Sequence, residues 1–337
     1  MIDFWKDRPV LVTGASGLLG SAMVPELVRR GAEVVALVRD SVPKSLLFHD
    51  GWLERVISVH GSITDGALLR RTIAEYSIRS IFHLGAQTLV GVAQSDPLST
   101  LEANVGGTWT VLEAARLTGS PQVLVASSDK AYGKSDDVPY REDYPLRGDA
   151  PYEVSKSCAD LIATMYGRTY NLPVAIARCG NLFGGGDLNY SRLIPGVIQA
   201  TLRGENFIIR SDGKHVRDFL YVEDAVEAYV CLAEKLASGS VAFGEAFNFG
   251  LEAPLTMIEL TEKILLMMGR PDLRPLIQNT ARCEILVQYL DASKARQKLG
   301  WSPRCGMEEG LRRTIEWYRE FLPAEAAPQR AMANAAD

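Results

Sequence analysis

The segment "VLVTGASGLLGS" at residues 10–21 constrains the fold more than any other part of the chain. Three glycines follow a β-branched apolar run and lead directly into a helical pattern. Only glycine lets a backbone approach a pyrophosphate closely, and amide groups at a helix N-terminus bind that anion. The segment therefore predicts a strand–loop–helix unit that binds a dinucleotide. The residues expected to line this site are Gly14, Gly17, Leu18, Leu19 and Gly20.

The first half of the chain continues this alternation of strand and helix. Amphipathic segments lie between short apolar runs at 10–13, 34–38, 56–59, 81–84, 123–126 and 174–177. Strands that are connected through helices pair in parallel and are covered on both faces. We therefore expect an α/β fold, in which residues 1–180 mainly form a Rossmann-type doubly wound parallel sheet that binds NAD(P).

The alternation loosens after about residue 180. Helical segments at 192–203, 223–236 and 257–268, with short strands near 207–210 and 246–249, predict a smaller C-terminal substrate-binding lobe. We expect this lobe to span mainly residues 181–322 and to interleave with the first domain. Residues 323–337 are rich in Ala and Pro and lack apolar periodicity, which predicts a disordered tail.

Composition and charge exclude several classes of protein. The 337 residues carry a net charge of −5 with no basic cluster, so nucleic acid is not an expected partner. No apolar stretch is long enough to span a membrane, and residues 1–8 lack a signal-peptide core, which predicts a cytoplasmic protein with no membrane partner. The 5 cysteines and 4 histidines show no ligand spacing, so we expect neither a metal site nor disulfides.

Two neighbouring residues bear on the choice between NAD and NADP. Asp40 lies about 20 residues beyond the glycines, where a carboxylate accepts from the ribose 2′-hydroxyl of NAD. Arg39 could instead pair with the 2′-phosphate of NADP. An ordinary solvated ion pair fits the two residues equally well, so both cofactors stay open. The predicted cofactor site also includes Ser62, Ile63 and Leu84.

Tyr152 and Lys156 form a YxxxK motif and share one face of a predicted helix. A phenol has an unperturbed pKa of about 10 and is a poor base at neutral pH. A neighbouring ammonium and a nicotinamide cation would lower that pKa. Ser128, at the end of the preceding strand, can position a substrate alcohol between them. The three residues predict a catalytic Ser-Tyr-Lys set, and Tyr152 and Lys156 also border the cofactor.

Seven motifs, taken in order, carry a resemblance to a known family. They are the glycine loop, "HLGAQ" at 83–87, "NVGGT" at 104–108, "SSDKAYG" at 127–133, "YEVSK" at 152–156, "RCGNLFGGGD" at 178–187 and "VRDFLYVED" at 216–224. Over about residues 8–320 the chain resembles the extended short-chain dehydrogenase/reductase family of nucleotide-sugar enzymes. The resemblance implies a retained nicotinamide cofactor, a nucleotide-diphosphate hexose as substrate, and a homodimer formed through helices 98–117 and 154–170.

The two residues after Ser128 distinguish branches of this family. Dehydratases usually have Asp-Glu there, whereas epimerases have small or neutral residues. Asp129-Lys130 resembles the CDP-glucose 4,6-dehydratases, while Val38-Arg39 resembles the GDP-mannose 4,6-dehydratases, which use NADP. The resemblance thus implies a lyase that makes a 4-keto-6-deoxy sugar with an internally recycled cofactor. A nucleotide-sugar 4-epimerase and a non-enzymatic NAD(P)-sensing scaffold are the alternatives.

The resemblance also implies roles for the pair. Tyr152 takes the proton of the sugar's 4-hydroxyl while hydride leaves carbon 4. A base then removes the hydrogen on carbon 5, an acid protonates the departing 6-hydroxyl, and hydride returns to carbon 6. Asp129 is the expected acid, which requires a raised pKa, and Lys130 the expected base, which requires a lowered one. Lys130 as an electrostatic anchor only is the alternative.

Two structural conditions apply to these roles. An ion pair between Asp129 and Lys130 would shift both pKa values in the wrong directions. Adjacent residues of a strand face opposite sides, so both side chains can reach one sugar only if the strand has ended by Ser128.

The sugar's diphosphate requires cations, and the resemblance suggests which residues contact it. Arg217 and Arg282 match the family's phosphate-binding positions, and Asn181 matches its substrate asparagine. Arg192 lies in the loop expected near the nucleotide. Asn104 could support the backbone of the active-site helix through its amide. The predicted substrate-binding residues are Gln87, Asn181, Arg192, Arg217 and Arg282.

Overall fold

A computed structural model describes residues 4–280 and 285–333. The strands are β1 (Pro9–Thr13), β2 (Glu33–Val38), β3 (Ile57–His60), β4 (Ser80–His83), β5 (Gln122–Ala126), β6 (Val174–Cys179), β7 (Asn181–Phe183), β8 (Ile208–Ile209), β9 (Val216–Arg217), β10 (Phe219–Tyr221), β11 (Glu245–Phe249), β12 (Leu255–Thr256), β13 (Leu276–Ile277) and β14 (Val287–Gln288). The helices are α1 (Leu18–Arg29), α2 (Leu46–His49), α3 (Gly66–Glu75), α4 (Val90–Ser95), α5 (Pro97–Leu101), α6 (Gly107–Leu117), α7 (Pro151–Tyr170), α8 (Leu193–Arg203), α9 (Val222–Ala237), α10 (Met257–Met267) and α11 (Met307–Ala333).

The centre of the fold is the main sheet, seven strands in the spatial order β11-β6-β5-β4-β1-β2-β3. All neighbouring strands in it run parallel. Parallel neighbours require crossover connections, which the helices between the strands supply. This topology confirms the predicted α/β Rossmann-type doubly wound sheet. The order of the strands reverses between β1 and β4, and ligands of such sheets bind at the carboxyl ends of the strands there.

Alternate residues of the main sheet supply two hydrophobic cores, one on each face. In β1, Val10 and Val12 pack in the same cluster as Met23 of α1, on the face that α9 also covers. Leu11 points to the other face and belongs to the cluster of Leu112 on α6. Helices therefore bury both faces, which explains why these strands are almost continuously apolar. The result is a rigid platform whose strand ends carry the site.

The remaining elements form the small lobe, with a core of its own. Helices α8, α10 and α11 pack there around Phe183, Val197, Leu260 and Leu311. Its strands form small sheets that pair β7 with β10, β8 with β13, and β9 with both β12 and β14. All of these elements lie after residue 180.

The division between the lobes is more interleaved than a boundary at residue 180 suggests. The strand expected near 246–249 in the small lobe is β11, the edge strand of the main sheet next to β6. Helix α9 also returns to the large lobe, where it packs against α1, β5 and β6. Four of the five residues of β11 are buried. Such burial is expected for a strand in a parallel sheet that is covered on both faces.

Two helices differ from their predicted extents. The helix expected at 98–117 consists of α5, a π-helical turn at Glu102–Gly106, and α6. Helix α11 is described through Ala333, although residues 323–333 were expected to be disordered; the alanines of this segment favour a helix, whereas Pro323 and Pro328 disfavour one. Residues 334–337 lie outside the described residues. Among the helices that are described, none is both long and apolar enough to cross a membrane.

Candidate active site

The glycine loop after β1 forms a close-packed cradle at the strand ends. Gly14 has φ +69°, and a Cβ there would lie 2.7 Å from the backbone nitrogen of Gly85. A Cβ on Gly20 would overlap the carbonyl oxygen of Gly14. Helix α1 begins at Leu18 with Gly17 as N-cap, and no side chain caps it. An open helix N-terminus beside a backbone without side chains fits the pyrophosphate of a dinucleotide.

We expect Gly20→Ala to deplete the bound dinucleotide. The new Cβ would displace the backbone of Gly14, and overpacking of this kind costs about 1–3 kcal/mol, which is about 5-fold to 150-fold in binding if the whole cost falls on the bound state. The measurement is the cofactor content of the purified protein, with Gly306→Ala as the control because a Cβ at Gly306 meets open space. Equal cofactor content in the two variants would show that the cradle does not hold the dinucleotide.

The other predicted cofactor residues surround this cradle. Leu84 follows β4 and packs against the main-sheet core, and Ile63 lies within contact distance of Gly85 and Gly107. Ser62 is hydrogen bonded to Thr64 through the two hydroxyls, 2.8 Å apart. Arg39 and Asp40 form an exposed ion pair of 2.6 Å beyond β2, with side chains 70% and 63% accessible. The solvated pair considered from the sequence is therefore the observed arrangement of the two residues.

Tyr152 and Lys156 lie on α7, and Ser128 lies two residues beyond the end of β5. Tyr152 is hydrogen bonded to Ser128, and burial, aided by the charge of Asp129, raises its pKa to about 12. The lowered pKa expected for Tyr152 is therefore not found in the protein alone, because burial outweighs the opposing effects of Arg192 and Ser128. The Lys156 ammonium donates 2.8 Å to the carbonyl oxygen of Ala126. Burial lowers the pKa of Lys156 itself to about 8, against the opposing charge of Asp160.

Asp129 and Lys130 begin a 3-10 turn, Asp129–Tyr132, after the strand has ended at Ala126. The strand-end condition is therefore met, and the two side chains meet on one side. The Lys130 ammonium lies 2.8 Å from Asp129 Oδ2, and the Ser128 hydroxyl donates 2.9 Å to Asp129 Oδ1. The ion pair considered from the sequence exists. Burial nevertheless lowers the pKa of Lys130, because it outweighs the attraction of Asp129 and acts together with the charge of Arg217.

Cations from the small lobe face this turn. Arg217, on β9, is close enough to lower the pKa of Lys130, and Arg192 acts in the same way on Tyr152. Arg192 donates 3.0 Å to Asp187 and 3.3 Å to Thr88, which lies beyond β4. Helix α7, the Asp129–Tyr132 turn and two small-lobe arginines therefore converge at the carboxyl end of β5.

The other predicted substrate residues that the structure describes form hydrogen bonds with neighbouring parts of the chain. Asn181 donates 3.1 Å to the backbone oxygen of Asp218, behind Arg217. The amide of Gln87 donates to Leu89 and Thr100, both at 3.0 Å, so it stabilises its own loop. Arg282 lies outside the described residues.

Asn104 contacts the active-site helix through the side chain of Ser155 and not, as expected from the sequence, through the helix backbone. Its Oδ1 accepts from the backbone N–H of Gln87 at 2.7 Å, and its Nδ2 donates 2.9 Å to the Ser155 hydroxyl on α7. The π-helical turn in α5–α6 contains Asn104, and such turns are frequent at functional sites.

Comparison with known proteins agrees with this geometry. Residues 10–250 match the NAD dependent epimerase/dehydratase family. The chain belongs to that family. A curated member, CDP-glucose 4,6-dehydratase of Salmonella typhimurium, is 33% identical over 96% of this chain and 95% of its own.

Two solved members of the NAD dependent epimerase/dehydratase family share the fold. A dTDP-glucose 4,6-dehydratase from Streptomyces venezuelae, solved with NAD bound, has a TM-score of 0.83 and 32% identity, covering 93% of this chain and 97% of its own. A UDP-glucose 4-epimerase from Thermotoga maritima has a TM-score of 0.85 but 27% identity, over 94% of this chain and 100% of its own. The fold alone does not separate the two activities, whereas sequence similarity favours the dehydratases.

Two residues of this family member were missed by sequence reasoning. His83 is buried between the hydroxyls of Thr13 and Thr108, at 3.0 and 3.1 Å, and burial lowers its pKa to about 3. It is therefore neutral, and its two hydrogen bonds connect the end of β4 to the end of β1 and to α6, beside the glycine cradle. Gln288 donates 3.0 Å to the backbone oxygen of Asp129, and its own buried Oε1 has no hydrogen-bond partner among the described residues. Gln288 lies in a two-residue strand that no periodicity reveals.

Asp218, between β9 and β10, predicts that the stability of the protein depends on pH. Burial raises its pKa to about 6, above an unfolded value of about 4. The folded chain retains the proton in that window, so this contribution to stability is present below about pH 4 and is lost as the pH rises through 6. Relative to Asp218→Asn, the wild type should lose about 2–3 kcal/mol of unfolding free energy across the window. Urea titrations of both proteins between about pH 4 and 7 measure this loss. If the difference in unfolding free energy between wild type and Asp218→Asn did not change with pH, the raised pKa of Asp218 would be wrong.

Proposed function

We propose that this chain is a nucleotide-sugar 4,6-dehydratase that converts a nucleotide-diphosphate hexose into its 4-keto-6-deoxy product with recycled NAD. The observation that carries the proposal is the Asp129–Lys130 pair beside the Ser128–Tyr152 hydrogen bond, with the Asp129 side chain buried and that of Lys130 19% exposed. A 4-epimerase requires an alcohol-oxidising set but no additional acid and base. A dinucleotide-sensing scaffold requires neither. The dehydratases among the relatives support the same choice.

The proposed oxidation at carbon 4 uses the residues on α7. Ser128 holds the sugar's 4-hydroxyl, and Tyr152 removes its proton. Lys156, fixed by the Ala126 oxygen, provides a positive charge near the phenol and the cofactor ribose. NAD, when bound at the glycine cradle, supplies a reversible hydride acceptor. Because the Tyr152 pKa is raised to about 12 in the protein alone, the phenol requires the positive charge of the bound cofactor to act as a base.

The proposed elimination uses the 3-10 turn Asp129–Tyr132, which we call the catalytic turn. The 4-ketone acidifies the hydrogen on carbon 5, and Lys130 removes it in its neutral form, which its lowered pKa favours. Asp129 protonates the departing 6-hydroxyl, which leaves as water. When hydride returns to carbon 6 of the resulting alkene, Lys130 gives its proton back to carbon 5, and the 4-ketone is kept. Proton transfer from Lys130 to Asp129 within the 2.8 Å pair yields both neutral forms together. The ion pair is then the resting state of the acid and base, and a sugar that excludes water favours the neutral pair.

We assign the substrate and cofactor as follows. Arg217 and Arg192 bind the diphosphate, and Asn181 contacts the sugar. CDP-glucose is the expected donor, given the similarity to a CDP-glucose enzyme over 96% of the chain. NAD is the expected dinucleotide, because Asp40 already engages Arg39 and leaves that arginine less able to recognise a 2′-phosphate. A cytoplasmic location without nucleic-acid or membrane partners stays a prediction.

We also propose a homodimer formed through the outer face of helices α5 to α7. Large apolar side chains are exposed there, among them Leu98, Trp109, Leu161 and Met165. Contiguous exposed apolar patches of this kind mark interaction sites. Light scattering should give twice the chain mass for the wild type and a smaller mass for Leu161→Glu. A monomeric wild type at micromolar concentration would contradict the assignment.

The test of function is the product formed from each nucleotide hexose. The purified protein is incubated separately with CDP-, dTDP-, UDP- and GDP-hexoses, and products are analysed by mass spectrometry. Loss of one water with formation of a ketone supports the dehydratase. An unchanged mass with inversion at carbon 4 supports the epimerase. Bound cofactor without turnover on any donor would favour the sensing scaffold.

A further inference from the structure

A buried ion pair lies behind the proposed catalytic residues. Arg178, on β6, donates through Nε and Nη2 to the two carboxylate oxygens of Asp160, on α7, both at 2.8 Å. The side chains are only 6% and 1% exposed. A bidentate pair fixes both the distance and the orientation of its partners, and neither charge is readily left unpaired in the interior. The pair therefore anchors α7 to the main sheet.

The remaining guanidinium nitrogen of Arg178 reaches the catalytic turn. Nη1 donates 2.8 Å to the hydroxyl of Tyr132, the last residue of that turn, and the guanidinium carbon lies 4.9 Å from the Tyr132 ring centroid. The Tyr132 hydroxyl in turn donates 2.7 Å to Asn248 Oδ1. Asn248 is the register partner of Arg178 between β11 and β6. One arginine thus holds the active-site helix and the catalytic turn against the same two strands.

Each end of this network lies next to a different chemical step. Asp160 is one helical turn beyond Lys156 on α7, on the side that carries out oxidation. Tyr132 follows Asp129 and Lys130 in the turn that carries out elimination. A second link, from the Ser157 hydroxyl to the Ala131 oxygen at 2.8 Å, joins the same two elements. The two halves of the site are therefore joined by two buried links, one through Arg178 and one through Ser157.

We propose that Arg178 is a positioning residue that sets the distance between the oxidising helix and the eliminating turn, and that it acts on elimination through the Tyr132 hydroxyl. The inference rests on the proposed function. The same bound sugar is oxidised at carbon 4 beside α7 and loses water at carbons 5 and 6 beside the turn. Asp129 and Lys130 must therefore keep a fixed distance from Tyr152 throughout the reaction.

Tyr132→Phe tests the proposal, since it removes one hydroxyl and leaves the Arg178–Asp160 pair intact. We expect oxidation at carbon 4 to stay within about threefold of wild type, while elimination slows about tenfold to a hundredfold, as for a small misplacement of reacting groups. Reduced cofactor should then accumulate in single-turnover absorbance traces, with KM little changed. Tyr166→Phe is the control, because its hydroxyl contacts Glu113 at 3.1 Å, away from the turn.

A second readout does not depend on turnover. Amides of the 129–133 segment should exchange hydrogen about tenfold faster in cofactor-free Tyr132→Phe, and in Arg178→Lys, than in the wild type or the control. Equal slowing of both chemical steps in Tyr132→Phe, or no change in either step or in exchange, overturns the inference. If the wild type releases no water from any donor, the proposed function has failed and the inference fails with it. If the wild type releases water and Tyr132→Phe behaves in the same way, the proposed function stands and only the inference about Arg178 is overturned.

Discussion

Lys130→Met and Asp129→Asn are each expected to slow loss of water by about 10²–10⁴-fold while leaving oxidation at carbon 4 measurable. Methionine retains the length of the lysine side chain without a basic nitrogen, so the hydrogen on carbon 5 loses its acceptor. Asparagine retains the shape of Asp129 but cannot protonate the departing hydroxyl. In both variants the reaction should stop after oxidation, with the cofactor left reduced. Single-turnover absorbance and product mass measure the two steps separately.

Matched controls lie a few residues further along the chain. Lys134→Met and Asp136→Asn make the same chemical changes at exposed positions beyond the turn, and we expect neither to alter elimination. Because Asp129 and Lys130 contact each other at 2.8 Å, the double variant should lose less than the sum of the single losses. Unimpaired elimination in both single variants would mean that the pair is structural and that the assigned roles are wrong.

Tyr152→Phe is expected to abolish the reaction at an earlier stage. Without the phenolic oxygen no residue takes the proton of the 4-hydroxyl, and oxidation should slow by about 10²–10⁴-fold. Neither reduced cofactor nor ketone should accumulate, which distinguishes this variant from changes in the catalytic turn. Tyr170→Phe, on the exposed end of the same helix, is the control. Accumulation of reduced cofactor in Tyr152→Phe would remove Tyr152 from the oxidation step.

The sequence predicted those parts of the fold that depend on local pattern. The six runs from 10–13 to 174–177 were predictable as strands because they are short, apolar and rich in β-branched residues. Amphipathic helical segments between them indicated a parallel sheet that is covered on both faces. The glycine loop was found because a dinucleotide and close backbone packing restrict Gly14 and Gly20 to one residue type. Tyr152 and Lys156 were found because helical spacing places them on one face.

Features that depend on contacts distant in sequence were not predictable in this way. β11 was assigned to the small lobe because position along the chain says nothing about pairing with β6, 70 residues earlier in register. The π-helical turn around Asn104 has no local signal in an apolar helical run. Arg178, Tyr132 and Gln288 matter through partners on other strands, so they resembled ordinary core or strand residues.

The pKa of a site residue was the least predictable quantity. The sequence suggested that Lys156 lowers the pKa of Tyr152, but burial dominates and raises it to about 12. Attraction within the Asp129–Lys130 pair was expected to oppose the base role of Lys130, yet burial still lowers the Lys130 pKa. In both cases the deciding effect was the loss of water around the group, which depends on the packed structure rather than on neighbours in the sequence.

The most direct test of the account follows the hydrogen on carbon 4. The purified protein is given CDP-glucose that carries deuterium at that carbon, and the product is analysed by mass spectrometry and NMR. The account predicts a 4-keto-6-deoxy sugar that has lost one water and carries the deuterium on carbon 6, with no net change in the bound cofactor. Deuterium recovered on carbon 4 of a sugar of unchanged mass would contradict it and indicate epimerisation instead.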